Sequence, residues 1–235
     1  MFHFFFYFCD CFVFILYFRF IMIQVQPFVF NAFQENSYVL YDAHTLEAIV
    51  IDPGMYEARE RQSFDRFVQE KKLQLKAIYN THTHIDHIFG NRYVQETYNI
   101  PVFFHEKDLP NYQPLPFVAS RYGLEDFQYF TDYQLLTDKD KGIHLGAHFL
   151  DILFVPGHSP GHVAFYSAAQ NFVIGGDVLF RMSIGRTDFP NCNHQDLLHS
   201  IRQVFFKLPD DTLVYSGHGQ STTIGFEKTH NPFLV

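Results

Sequence analysis

Residues 81–87, Thr-His-Thr-His-Ile-Asp-His, place three imidazoles and a carboxylate within seven positions. His82 and His84 are two positions apart, so in an extended segment their side chains project to the same side and meet on one ion. On a helix the same spacing points them to nearly opposite faces, so we expect a loop here. Asp86 and His87 then add an oxygen and a nitrogen for a second ion. Zn²⁺ accepts these ligand types, and iron and manganese tolerate them, so the segment predicts a metal-binding loop.

Three more segments carry a candidate ligand directly after a run of strand-like residues. They are Pro-Gly-His158-Ser-Pro-Gly-His162, Gly-Gly-Asp177 and Ser-Gly-His218-Gly. Each alone is a weak signal, because a lone His in a glycine-rich turn is more often an ordinary hydrogen-bonded residue. Together the four segments supply two ligand sets, with the two oxygens of Asp177 shared between them. We predict His82, His84, His158 and Asp177 for one ion, and Asp86, His87, Asp177 and His218 for another.

The charge balance excludes one broad class of function. Among 235 residues, 17 are Lys or Arg and 25 are Asp or Glu, which gives a formal net charge of -8. A polyanion repels such a surface, so we expect no nucleic-acid partner. The three cysteines stand at positions 9, 11 and 192, which leaves one beyond residue 21. No disulfide framework is possible there, and a reducing, cytoplasmic location is expected.

The beginning of the chain has a different composition from the rest. Nine of the 30 Phe lie in residues 1–20, but Asp10 and Arg19 interrupt the apolar run. Each charge costs about 2.5–3.5 kcal/mol at the centre of a membrane-spanning helix. Three interpretations are open: translation begins at Met22, the segment is a membrane or interface anchor, or it is an ordered addition to the fold. We therefore divide the chain into an apolar leader, residues 1–21, and a main domain, residues 22–235, and expect membrane contact only if the leader is translated.

The main domain alternates short β-rich runs with a few amphipathic helices. Strands are predicted for residues 25–30, 37–41, 48–51, 77–79, 149–155, 162–167, 172–174 and 213–215, because β-branched and aromatic residues cluster there between turn signals. Helices are predicted for residues 57–72, 91–98 and about 195–206. Residues 106–141 show no clean period and are predicted to form a lid or a wall of a substrate site. This pattern predicts a layered α/β sandwich.

The four ligand segments, in this order and at these separations, resemble the metallo-β-lactamase superfamily, and within it the short single-domain hydrolases of the glyoxalase II type. The resemblance covers residues 22–235 and includes Asn-Ser-Tyr at 36–38 and Ile-Asp-Pro-Gly at 51–54. It implies a catalytic domain folded as an αββα sandwich, with the metal site at one edge of the two packed sheets. For Asp52 two interpretations are open: a carboxylate that orients metal ligands, or a turn residue before Pro-Gly.

The resemblance also implies a function, the metal-dependent hydrolysis of a small-molecule thioester of the S-acylglutathione class. Two divalent ions, zinc first with iron or manganese as alternatives, lower the pKa of a water held between them toward ~7. Asp86 is expected both to bind an ion and to orient this nucleophile. Arg186 either contacts an anionic part of the substrate or pairs with Asp188 in a turn. Glyoxalase II enzymes bind glutathione with an additional helical domain, which we do not expect in the short sequence after His218, and this makes glutathione specificity an open question.

Other functions are open. The run Gly-Arg-Thr-Asp-Phe at 185–189 also resembles the persulfide dioxygenases of the same superfamily, which use one iron held by two His and one Asp. The complete second ligand set argues against them. Lactonase, other ester hydrolase and β-lactamase activities use the same metal apparatus, and the motifs alone do not separate these. A non-catalytic metal-binding protein is the least favoured, because structural zinc sites are closed whereas this ligand set leaves an open position.

Overall fold

The structure, a computed structural model, describes residues 22–235, and the predicted leader, residues 1–21, lies outside them. The first sheet contains β1 Ile23–Phe30, β2 Glu35–Asp42, β3 Glu47–Ile51, β4 Gln74–Tyr79, β5 Val102–His105 and β6 Gln134–Leu136. These six strands lie side by side in chain order. β1, β2 and β3 pair antiparallel, whereas β3 to β6 pair in parallel.

The second sheet also has six strands, in the order β14-β13-β10-β9-β8-β7. Only β10 and β13 pair in parallel, and the other neighbours are antiparallel. A short hairpin, β11 with β12, follows β10. The strands are β7 Gly142–Leu145, β8 His148–Phe154, β9 Val163–Ser167, β10 Phe172–Gly176, β11 Leu179–Phe180, β12 Ser183–Ile184, β13 Leu213–Ser216 and β14 Thr222–Thr223.

Helices connect the strands, and local hydrogen bonds cap the ends of some of them. They are α1 Ala58–Lys71, α2 Asn91–Tyr98, α3 Leu109–Tyr112, α4 Leu115–Arg121, α5 His194–Gln203 and α6 Ile224–His230. α1 begins at a capping box made by Glu57 and Glu60 and ends at Lys72, which is left-handed. The side chain of Asn193 caps α5 by accepting two backbone N–H groups.

The two sheets pack face to face because successive residues of a strand point to opposite sides. In β2 and β3, Leu40 and Ile49 belong to the core between the sheets, where they meet Phe165 of the second sheet. Their neighbours Val39 and Val50 belong instead to the core on the outer side of the first sheet. Burying one such side chain contributes about 1.5–3 kcal/mol, so this alternation fixes which face each strand presents.

The outer faces of both sheets are covered by helices. Phe64 and Val68 of α1 pack in the core beside the first sheet, and Leu197 and Ile201 of α5 pack in the core beside the second. The layers are therefore helix, sheet, sheet, helix, which confirms the predicted αββα sandwich. Among residues 22–235, no helix is long and apolar enough to cross a bilayer.

Several elements depart from the sequence prediction. Residues 106–141 contain α3, α4 and β6, although their sequence shows no clean period. The strands β5, β6, β7, β11, β12 and β14 were not predicted, because each spans only two to four residues and is stabilised by pairing with a neighbour. The helix predicted for 195–206 ends at Gln203 and continues as a short 3₁₀ turn, Phe205–Lys207.

Candidate metal centre

The predicted ligands meet at one edge of the sandwich, where four chain segments leave their strands. The loop 80–87 follows β4, the turn 155–162 joins β8 to β9, Asp177 follows β10 and His218 follows β13. A Cβ atom on Gly217 would lie 2.1 Å from Oδ1 of Asp177. Glycine is therefore required at 217 for these two strand ends to approach each other so closely.

His82, His84 and His158 form the first group of the cluster. One ring nitrogen from each lies within 4.8 Å of the others, and Nδ1 of His84 is 2.9 Å from Nε2 of His158. The same Nε2 lies 3.4 Å from Oδ2 of Asp177. The structure thus brings together the four residues predicted for one ion.

Asp86, His87 and His218 form the second group, again within 4.8 Å. Nε2 of His218 is 3.2 Å from Oδ2 of Asp86 and 3.6 Å from Oδ2 of Asp177. Nε2 of His87 lies 3.5 Å from Oδ1 of Asp177. Asp177 therefore stands between the two groups, with its oxygens directed at members of both.

Several buried atoms of this cluster have no hydrogen-bond partner among the described residues. They include Nε2 of His82, Nε2 of His87 and Oδ1 of Asp177. A buried polar atom without a partner costs about 1–3 kcal/mol, so native proteins keep such atoms where something else binds them. Nitrogen and carboxylate oxygen are ligands for zinc, iron and manganese. The residues therefore fit divalent metal ions.

The ionisation of His82, His84 and Asp177 also suits a cation. Burial, followed by the nearby His158, lowers the pKa of His84 to about 3, and burial lowers the pKa of His82 well below its ordinary value. Both imidazoles are neutral at pH 7, which is the form that donates a lone pair to a metal. Burial alone would raise the pKa of Asp177, but the imidazoles of His87 and His158 outweigh burial and hold this pKa below its usual range.

Asp52 fixes the loop 80–87 through contacts with Thr81 and His87. Its Oδ1 accepts a hydrogen bond from the Thr81 N–H at 2.7 Å, and its Oδ2 accepts one from the Thr81 hydroxyl at 2.6 Å. Nδ1 of His87 lies 3.1 Å from the same Oδ2. A carboxylate that engages one ring nitrogen turns the other toward a metal. These contacts support the first interpretation of Asp52, a carboxylate that orients metal ligands.

Other histidines of the site are also oriented through Nδ1. Nδ1 of His158 lies 2.8 Å from the carbonyl oxygen of Arg186, and Nδ1 of His218 lies 3.1 Å from that of Phe33. His162, which the sequence left without a role, stacks on His82 and accepts a hydrogen bond from the Asp177 N–H at 3.0 Å. The sequence feature that could have identified His162 is its position in the same segment as His158.

A buried carboxylate that the sequence did not single out, Asp108, ties two of the metal loops together. Its Oδ2 accepts hydrogen bonds from the Thr83 N–H at 2.5 Å and the Thr83 hydroxyl at 2.8 Å. Its Oδ1 accepts from the Gly161 N–H at 2.9 Å and from the Ser159 hydroxyl. Thr83 lies between two histidines of the first group and Ser159 adjoins the third, so one carboxylate sets the spacing of all three.

Replacing Asp108 by Asn is expected to weaken the metal affinity of the first group by about 10–100-fold, the usual effect of losing such a supporting contact. An amide nitrogen cannot accept the hydrogen bonds that one of the two oxygens receives. Metal affinity, measured by competition with a chromophoric chelator, tests this expectation. The matched control is Asp132→Asn on an exposed aspartate. Unchanged affinity in a folded Asp108→Asn protein would mean that the contact is only structural.

Glu35 is a second carboxyl that the sequence did not single out. It is fully buried, its Oε2 accepts a hydrogen bond from the Ser37 hydroxyl at 2.8 Å, and its Oε1 has no hydrogen-bond partner among the described residues. Oε1 lies 3.9 Å from Nδ1 of His87. Burial raises the pKa of Glu35 well above its ordinary value, although His87 acts in the opposite direction.

The raised pKa of Glu35 predicts a pH effect on stability. Folded protein then binds more protons than unfolded protein, so stability is lost as pH rises from the unfolded pKa of about 4.3 toward the folded value. Glu35→Gln cannot ionise and should remove this loss. In urea titrations of metal-free protein, we expect the free energy of unfolding of the variant to exceed that of wild type by a margin that grows with pH. A margin independent of pH, as expected for the exposed control Glu125→Gln, would contradict this.

The metal cluster opens into a cavity of about 970 Å³. Leu115 and Val118 of α4 line it, so the segment 106–141 contributes a wall of this cavity. Arg186 also lines it, but its Nε and Nη2 donate to the two carboxylate oxygens of Asp188 at 2.7 and 2.6 Å. Of the two interpretations of Arg186, the ion pair with Asp188 is therefore present in the structure.

An αββα sandwich with a histidine and aspartate cluster at the edge of its sheets defines a protein of the metallo-hydrolase class. The sequence-family model of the metallo-β-lactamase superfamily matches residues 30–218, and the chain belongs to this superfamily. The hydroxyacylglutathione hydrolase GloC of Haemophilus influenzae is 35% identical over 204 residues, which are 86% of this chain and 94% of that protein. The probable metallo-hydrolase YqgX of Bacillus subtilis is 38% identical over 203 residues, 86% of this chain and 92% of its own.

Solved structures give the same result. The B3 metallo-β-lactamase BLEG-1 superposes with a TM-score of 0.82 at 35% identity, over 90% of this chain and 100% of its own. TTHA1623, in a di-iron-bound form, superposes with a TM-score of 0.77 at 34% identity, over 89% and 100%. ETHE1 from Myxococcus xanthus has a TM-score of 0.70 at 26% identity, over 90% and 84%.

Proposed function

We propose that this protein is a glyoxalase II-like hydrolase that cleaves a thioester of the S-acylglutathione class with two divalent ions, zinc in the first place. The observation that carries the proposal is the position of Asp177 between two ligand groups, each complete apart from the shared carboxylate. The similarity to a hydroxyacylglutathione hydrolase over 94% of that protein supports the substrate class. The proposed ligands are His82, His84, Asp86, His87, His158, Asp177 and His218.

When bound, such a pair of ions polarises a carbonyl and lowers the pKa of water toward ~7. The protein's own contribution is to position the reactants. The side chain of Asp86 is mostly buried and lines the cavity, where one carboxylate oxygen accepts a hydrogen bond from the attacking water and fixes its direction. The water oxygen forms a bond to the carbonyl carbon, the C–S bond breaks, and the products are a carboxylate and a thiol.

A persulfide dioxygenase is the second candidate. It is favoured by the Gly-Arg-Thr-Asp-Phe run at 185–189 and by the similarity to ETHE1 from Myxococcus xanthus. The second ligand group, Asp86, His87 and His218, argues against it, because one iron needs only one group.

We also propose that residues 22–235 are the catalytic domain and that the enzyme acts in the cytoplasm. The thiol of Cys192, the cysteine within residues 22–235, is free, which is in keeping with a reducing compartment.

Turnover assays separate these candidates. Purified protein is tested against a thioester panel led by S-lactoylglutathione, with thiol release as the readout, and against glutathione persulfide in an oxygen electrode. We expect thiol release without oxygen uptake. Persulfide-dependent oxygen consumption, with no thioester hydrolysis, would overturn the hydrolase proposal.

A further inference from the structure

Three arginines line the cavity, and they differ in whether a carboxylate compensates their charge. Arg186 is paired with Asp188. Neither Arg121 nor Arg181 has a carboxylate within ion-pair distance among residues 22–235, and both side chains are exposed. Their guanidinium groups lie against aromatic rings instead, at 5.9 Å from the centroid of Phe117 and 4.7 Å from that of Phe226. Two arginines without a carboxylate partner therefore line the cavity of a chain whose net charge is -8.

The rest of the cavity wall away from the metal cluster is largely apolar. Leu115, Val118 and Tyr122 line it on the side of α4, and Phe180 and Ile184 line it on the side of the hairpin β11 with β12. Tyr122 is 59% exposed, although it is a large aromatic side chain. An apolar wall in a cleft, with an exposed aromatic side chain on it, is typical of a ligand-binding surface.

Two amide side chains on this wall are already engaged within the protein. Nδ2 of Asn191 donates to Oδ1 of Asn111 at 2.9 Å, and Nδ2 of Asn111 donates to the Ser159 hydroxyl at 2.8 Å. Oδ1 of Asn111 and one amide hydrogen of each asparagine are thus already used within the protein. Ligand cavities usually measure about 300–1,000 Å³, so the cavity here, at about 970 Å³, has room for a bulky acyl group beside its carrier.

We propose that the site takes a thioester in which a bulky apolar acyl group is joined to an anionic carrier. Arg121 and Arg181 are the specificity-determining residues for the carrier, and Val118 and Ile184 contact the acyl group. This inference rests on the proposed thioester hydrolysis for its chemistry. It differs from the sequence prediction in placing the anion-binding charges at 121 and 181 rather than at Arg186, whose charge Asp188 already neutralises.

Thioethers test the inference separately from turnover, because they lack the carbonyl and cannot be hydrolysed. Binding of S-benzylglutathione, S-methylglutathione and the uncharged S-benzyl-N-acetylcysteamine is measured by calorimetry on the metal-loaded protein. We expect S-benzylglutathione to bind about tenfold more tightly than either of the others, since each lacks one of the two recognised features. Added salt should weaken binding of the two glutathione ligands and leave that of the uncharged one unchanged.

Variants then assign these preferences to residues. Arg121→Gln and Arg181→Gln should each raise the Kd of S-benzylglutathione by about five- to tenfold and leave that of the uncharged thioether unchanged. Val118→Thr, which is nearly isosteric, should reduce the preference for benzyl over methyl. Arg202→Gln, on an exposed residue of α5 outside the cavity, is the matched control.

The outcomes separate this inference from the proposed function. If S-benzylglutathione and the uncharged thioether bind equally, or if both arginine variants bind like wild type, the inference is wrong even where thioesters are hydrolysed. If the binding preferences hold but thiol release from S-benzoylglutathione is absent, the inference about the ligand stands and the proposed hydrolysis fails. Equal binding of benzyl and methyl ligands would overturn the apolar acyl site alone.

Discussion

Replacing Asp86 by Asn is expected to lower kcat for thioester hydrolysis by about 10³-fold, the size of effect typical of a positioned group that handles a proton. Oδ2 of Asp86 lies 3.2 Å from Nε2 of His218, and the side chain lines the cavity. Asn keeps the shape of the side chain but has neither the charge nor the second acceptor oxygen. KM should change little, because the carboxylate acts on the nucleophile and does not hold the substrate.

The Asp86→Asn experiment needs a measurement of bound metal beside it, since Asp86 is also a proposed ligand. The circular dichroism spectrum and the metal content at saturating zinc should show a folded, metal-binding protein. The matched control is Asp211→Asn, an exposed aspartate outside the cavity, which should retain wild-type kcat. A variant with near wild-type kcat and full metal content would show that the role assigned to Asp86 is wrong.

Removal of the metal ions is expected to reduce turnover by at least about 10³-fold and to destabilise the fold. A ligand at 1,000 times its Kd stabilises a protein by about 4 kcal/mol, which corresponds to a Tm change of roughly 8–16 °C for a domain of this size. The chemical reason lies in the cluster: without a cation, buried atoms such as Nε2 of His82 and Oδ1 of Asp177 have no partner.

Chelation followed by reconstitution tests this expectation. Protein is treated with a chelator, its activity and Tm are measured, and zinc, iron or manganese is then added back in separate samples. Return of both quantities with the same metal would support a resident catalytic ion. Unchanged turnover in protein shown by mass spectrometry to be free of metal would contradict the account.

The proposed ligand set could be predicted from the sequence because each proposed ligand belongs to a short segment with a strong local signal. Two histidines at a spacing of two require an extended segment, and glycines beside His158, Asp177 and His218 mark strand ends. The αββα sandwich could be predicted for a similar reason, since strand alternation and the amphipathic face of α1 are local patterns.

The contacts that support the cluster could not be predicted from the sequence, because they join residues far apart in the chain. Asp108 is separated from Thr83 by 25 positions and from Ser159 by 51, and a single aspartate after a strand has no distinguishing pattern. Glu35 reaches His87 only because β2 lies against the loop after β4. Arg121 lies in a helix of seven residues, too short for a hydrophobic period to predict. Such contacts follow from the tertiary arrangement of the strands and loops.

An anomalous difference map from crystals of the purified protein, recorded at the absorption edge of the metal found in it, tests the two-ion site most directly. The account predicts two peaks about 3.5–4 Å apart, one bound by His82, His84 and His158, the other by Asp86, His87 and His218, with Asp177 between them. A single peak, with the second group unliganded at saturating metal, would contradict the proposed two-ion centre.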